Sequence, residues 1–91
     1  MPDVPILKLN DRWRIATDYQ LQWIIQYRAS VKGKPEEWRG RKFITTRNVI
    51  LRDIRELDID ADPDAIHTIQ GWPEYFRLWL MIATATATEA A

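Results

Sequence analysis

"QLQWIIQYR", residues 20–28, decides the fold. Leu21, Trp23, Ile25 and Tyr27 alternate with Gln20, Gln22, Gln26 and Arg28, a period of two rather than the 3.6 of a helix. Such spacing predicts a strand with one face in a core and the other in water. The same period runs upstream. In "RWRIAT", residues 12–17, Trp13 and Ile15 take one side and Arg12 and Arg14 the other, while Leu7 and Leu9 form a shorter pair. Asn10-Asp11 suits a two-residue hairpin turn because both residue types tolerate positive φ, and Thr17-Asp18-Tyr19 supplies the next turn.

Downstream, Gly33, Pro35 and Gly40 give residues 30–40 the composition of a loop, after which "RKFITT", residues 41–46, resumes as a fourth strand with Phe43 turned into the core. The period then changes to that of a helix. Thr45 or Thr46 stands at a cap, Val49, Ile50, Ile54 and Leu57 recur at helical spacing, and Arg47, Arg52, Asp53 and Glu56 are left for water. A second helix follows, with Asp62 at the N-cap, Pro63 and Asp64 in the first turn, Ile66 and Ile69 inward and Gly71 at the stop. Pro73 opens a third. Phe76, Leu78, Trp79, Leu80, Met81 and Ile82 make it apolar nearly all round, so it must be buried on several sides or cover a partner. The Ala/Thr stretch at 83–91 reads as a low-complexity, frayed tail.

The expected architecture is α+β: a small antiparallel sheet of about four strands followed by two or three helices packed on one face, with residues 1–82 as a single domain. Ninety-one residues suffice for one core, and 46% hydrophobic residues with five tryptophans lie outside the range of disordered chains. Cysteine is absent, which removes disulfides, thiolate nucleophiles and Cys-based metal sites and fits a reducing compartment. The N-terminal residues lack a secretory pattern, and no apolar run reaches the length of a membrane span, so a cytoplasmic location without membrane contact is expected.

The formal charge is zero but unevenly spread: residues 1–52 hold eleven Lys and Arg against five Asp and Glu, a balance of +6, and residues 53–91 hold two against eight, or −6. Either the halves neutralise each other or each offers a field to a separate partner. Catalysis is short of parts. His67 and Ser30 fall in different segments with no third group to orient them, so the chain is expected not to be an enzyme and to need no cofactor. A calcium loop beginning at Asp58 fails at its glycine and glutamate positions, occupied by Pro63 and Ile69. A capped helix start explains those acids better than a metal site, and better than a phosphate mimic blocking a basic groove.

Two surfaces are left for recognition. Trp38, flanked by Glu36, Glu37, Arg39 and Arg41, has the aromatic and arginine mixture that protein interfaces use as anchors. Against it stands a phosphate-gripping reading of Arg12, Arg14, Arg28, Lys32, Lys34 and Lys42, joined by Arg39 and Arg41. Strand phase leaves the outer sheet face with cations and no aromatic, which suits phosphates rather than bases. Tyr75, Phe76, Trp79 and Leu80 offer a third surface, for self-association.

The run from "LNDRW" through "LQWIIQYR", then "WRGRKF", "TRNVILRDIREL" and the "ADPDAI" helix opening, resembles small uncharacterised proteins of bacteriophage, prophage and proteobacterial genomes. In these a "QWILQ"-like strand precedes a Trp-x-Gly-Arg-x-Phe stretch and a "TR..LLR.I.E" helix. The likeness covers about residues 9–73; after Trp72 the apolar stretch and the Ala/Thr tail are this chain's own. It brings no catalytic residues. It implies a mobile genetic element, where small non-enzymatic proteins often occupy a surface on a host machine, inhibitors of bacterial defence systems such as anti-CRISPR proteins among them. The leading expectation is therefore an accessory protein that binds a host protein; a nucleic-acid-binding module and a homo-oligomeric structural phage protein are the alternatives.

Overall fold

The computed structural model describes residues 3–18 and 21–90, with residues 86–90 as backbone only. Four strands, β1 (Val4–Lys8), β2 (Trp13–Thr17), β3 (Trp23–Ala29) and β4 (Glu37–Ile44), form one antiparallel sheet in chain order. Three helices follow: α1 (Arg47–Glu56), α2 (Pro63–Gln70) and α3 (Phe76–Ala90). The α+β plan expected from the change of period is the one observed. Ile15 on β2, Trp23 and Ile25 on β3 and Ile44 on β4 meet Ile50 and Ile54 of α1, Ala65 and Ile69 of α2 and Phe76 of α3 in a single core. Each large side chain buried this fully contributes about 1.5–3 kcal/mol.

Several local expectations are corrected. Leu21 is exposed, because β3 begins two residues later. Leu21 and Gln22 instead donate their backbone N–H groups to Asp18 Oδ1, at 2.7 and 3.2 Å. The remainder of that turn, Tyr19 with Gln20, lies outside the described residues. Asn10 and Asp11 do not make a two-residue hairpin, since Gly33 and Asp58 are the positive-φ residues among those described. The Asn10 side chain organises a longer link: its Oδ1 accepts from the backbone of Arg12 and Trp13, and its Nδ2 donates to the Asp60 carbonyl. That link also buries Leu9, whose carbonyl accepts from Asp62 N–H. The acidic 58–62 connection is thus stitched to the β1–β2 end of the sheet.

Helix ends follow capping chemistry. Asp62 caps α2 by accepting from Asp64 N–H at 2.9 Å, with Pro63 at the first helical position. Ala65 and Ile69 are its buried residues and Ile66 is half-buried. Thr46 occupies the N-cap of α1 without a side-chain cap bond. On the same helix Asp53, expected in water, is buried and accepts from Arg52 at 3.3 and 3.4 Å. At the α1 C-terminus Asp58 N–H donates to the Arg55 carbonyl and Ile59 N–H to the Ile54 carbonyl, while Asp58 takes φ 55°. This is the Schellman arrangement, which favours glycine at the left-handed position. Asp58→Gly is therefore expected to stabilise the protein by about 0.5–1 kcal/mol, read as a higher urea midpoint with an unchanged slope.

Helix α3 starts at Phe76 rather than Pro73. Tyr75 is held in a bridge to Thr46, with Arg47 N–H donating to the Glu74 carbonyl and Phe76 N–H to the Thr45 carbonyl. The helical backbone then continues through the Ala/Thr stretch to Ala90. Its inward side chains join a ring cluster: Trp23 stacks on Trp72 at 5.5 Å between centroids and meets Phe76 and Trp79 edge to face at 5.2 and 5.9 Å. Trp23 Nε1 is buried there without a hydrogen-bond partner.

Candidate functional site

Strand β4 builds the site. It begins at Glu37, so Trp38, Arg39 and Gly40 are strand residues rather than loop. Trp38 pairs with Arg28 and Gly40 with Gln26, but Lys42 pairs with Ile25, so Arg41 is the extra residue of a bulge. Phe43 then faces outward opposite Ile24 and is 59% exposed, where the sequence reading had it in the core. Its ring lies over Gly40, where a Cβ would sit 2.8 Å from Phe43 Cζ. The bulge thus brings Trp38, Gly40 and Phe43 onto the sheet face opposite the helices. That face does carry aromatics, contrary to the expectation from alternation.

On it the cations and rings form one network. Arg14 Cζ sits 4.2 Å from the Trp38 ring centroid and Arg28 Cζ 6.0 Å from it. Arg14 Nε donates to Gln26 Oε1 at 2.7 Å, and Gln26 Nε2 donates to Asp3 Oδ2 at 3.0 Å. Gln26 is buried and fixes this geometry from the central strand. Burial pushes the Arg14 guanidinium below its ordinary value, and the nearby Asp3 carboxylate opposes that shift. Arginine keeps its charge at neutral pH throughout such a change. Ile6, Leu7, Lys8, Arg14, Arg28 and Trp38 line a groove of about 450 Å³ across this face, to which no helix contributes.

Part of the expected phosphate grip is committed elsewhere, Arg14 to Gln26 and two further arginines to carboxylates. Arg28 pairs with Glu36 at 3.1 Å and Arg39 with Glu37 at 2.7 Å, and Lys8 pairs with Asp11 at 3.1 Å. The hydrogen bond to Glu37 raises Arg39 above its ordinary value. These pairs are exposed and each adds little to stability. Their effect is local: each of these three cations has a carboxylate beside it, while the +6 balance of residues 1–52, which already counts those carboxylates, persists. Lys32 and Lys34 flank Gly33 in the exposed β3–β4 turn, and Arg12 is exposed in the β1–β2 link. A meander returns both links to the same end of the sheet. Arg41 is exposed at the bulge, and Lys42, half-buried, faces the helix side opposite Ile25. Of the self-association set, Tyr75 is exposed, Phe76 is buried, and Trp79 and Leu80 are half-buried against the core.

Asp3, Gln26 and Phe43 are the site residues that sequence reasoning missed. Gly40 within a charged strand is the signal that could have found Phe43, because a glycine on a sheet face often lies under a neighbouring ring. Both sheet edges are irregular, with Pro5 and a register shift on β1 and the bulge on β4, so the sheet is guarded against strand addition and its open face is the more available surface. Ser30 and His67 are exposed on separate elements, and the described residues contain no group of three or more His, Asp or Glu placed to hold a metal ion. No described helix is long and apolar enough to cross a membrane.

Comparison with family models, with curated proteins and with solved structures finds no match.

Proposed function

We propose that this chain is a non-catalytic binding protein that docks a protein partner on the outer face of its sheet. The observation that carries this reading is Trp38 held by Arg14 and Arg28 over an open groove, with carboxylates interleaved among the cations. Interface anchors are of this kind: a rigid aromatic side chain, arginines already oriented by hydrogen bonds, and a mixed-charge rim. A phosphate-binding face would leave its cations unpaired for the backbone of a nucleic acid. The resemblance of residues 9–73 to phage and prophage proteins extends the proposal to a partner in the bacterial host, with inhibition of a defence system, as by an anti-CRISPR protein, as the role it would serve.

The test is capture from nuclease-treated bacterial lysate on immobilised wild-type chain, beside Trp38→Ala and Arg41→Ala. A protein retained by the wild type at micromolar concentration and lost with Trp38→Ala is expected; no retained protein would sink the reading. The second reading, a nucleic-acid module, is favoured by the exposed Arg12, Lys32, Lys34 and Arg41, which make no ion pair among the described residues. It requires binding to DNA or RNA that weakens steeply with salt. Such binding, with no protein captured, would replace the first proposal.

A further inference from the structure

Helix α3 has two apolar faces. Phe76, Trp79, Leu80 and Ala83 recur at helical spacing and turn toward the core. Leu78, Met81, Ile82 and Ala85 fall on the opposite side, and the three large ones are 49%, 65% and 52% exposed. Tyr75, 57% exposed, extends the stripe at its N-terminal end. An apolar helix of this kind must be buried on several sides or cover a partner, and the structure buries one side only.

We propose that this outer stripe is covered by the same stripe of a second copy, the two α3 helices packing antiparallel about a two-fold axis near Met81 and Ile82. The area agrees with that assignment. Tyr75, Leu78, Met81 and Ile82 are each about half exposed or more, and a symmetric pair that covers them fully buries about 1,000 Å², the lower bound for a biological interface and the size of a weak, concentration-dependent dimer. The chemistry agrees as well. Between Glu74 and Glu89 the one charged residue is Arg77, so the stripe has no charged pattern with which to select a foreign surface, and a self-complementary contact requires none. Antiparallel helices also set opposite dipole ends side by side, and Ala85, on the outer stripe, permits the axes to approach closely there. Amphipathic helices that lie on lipid carry Lys and Arg along the polar face, which α3 lacks apart from Arg77.

Such a pairing is independent of the outer sheet face and would present two Trp38 sites from one particle, strengthening binding to a multivalent target. Sedimentation velocity of the full chain across the micromolar range tests it. A mass rising from 10.8 kDa toward twice that value is expected. Met81→Glu and Ile82→Glu should weaken association by at least tenfold while leaving the far-UV spectrum unchanged and, at concentrations where the wild type is a monomer, the unfolding midpoint unchanged, because both positions are exposed in a single copy. The chain has no cysteine, so Met81→Cys should form a disulfide-linked dimer on oxidation far faster than Arg77→Cys, which lies on the flank of the stripe. Three results would overturn the proposal: a monomer at every concentration, a dimer indifferent to both glutamate variants, or a monomer that co-sediments with anionic vesicles.

Discussion

Replacing Trp23 by alanine is expected to cost about 3–5 kcal/mol, the range for removing a large buried aromatic side chain. A chain of this size has a total stability of about 5–14 kcal/mol, so the variant loses a fifth or more of it and, toward the low end of that range, unfolds at 25 °C. The reason is position. Trp23 is fully buried at the start of β3, and its ring touches Trp72, Phe76 and Trp79, so one side chain joins the sheet to the α2–α3 connection and to α3. Trp23→Phe separates volume from polarity. It keeps an aromatic ring in the cluster and removes the indole N–H that has no partner, so its cost should stay near 1–2 kcal/mol. Urea unfolding followed by far-UV circular dichroism measures both variants. A loss under about 1 kcal/mol for Trp23→Ala would mean that the ring cluster does not hold the helices to the sheet.

Trp38→Ala should have the second largest effect, and on binding rather than folding. Trp38 is half-buried on the open face, and its contacts with Arg14 and Arg28 are of the cation–π kind, worth about 0.5–1 kcal/mol at such sites. Stability should fall by no more than about 1 kcal/mol, whereas affinity for the captured protein should fall about 100-fold, the scale of an interface anchor. Trp38→Phe keeps a ring for both guanidinium groups and should recover a substantial part of the affinity. Calorimetric titration of the purified partner decides the matter: equal affinity for wild type and Trp38→Ala would remove Trp38 from the interface.

The inward phase of Trp13, Ile15, Trp23 and Ile25 could be read directly, because a strand with one buried face writes its period into the sequence. The helices were equally legible where capping residues marked them, as Asp62 and Pro63 do for α2. What escaped lies at β4. Trp38 and Phe43 have an odd separation, and strict alternation sends them to opposite faces; the bulged Arg41 absorbs one residue and reunites them. A bulge arises from how two strands pair, so neither strand states it alone. Asp53 escaped for a related reason. Its burial depends on where α1 sits in the tertiary structure, and a short acidic side chain beside apolar neighbours looks the same in sequence whether it faces water or not. The outer stripe of α3 was visible as apolarity, but its division into an inner and an outer face required the position of the sheet.

Every strand of the meander pairs with its neighbour in the chain, so the sheet can assemble from successive hairpins with short loops to close. Trp23 meets Trp72 and Trp79 only when a loop of about 50 residues closes, which carries a larger entropic cost. Docking of α3 is therefore the expected last event of folding. Stacking of those indoles changes their fluorescence, so the slowest emission phase on refolding should time the closure of the helix layer on a sheet already formed.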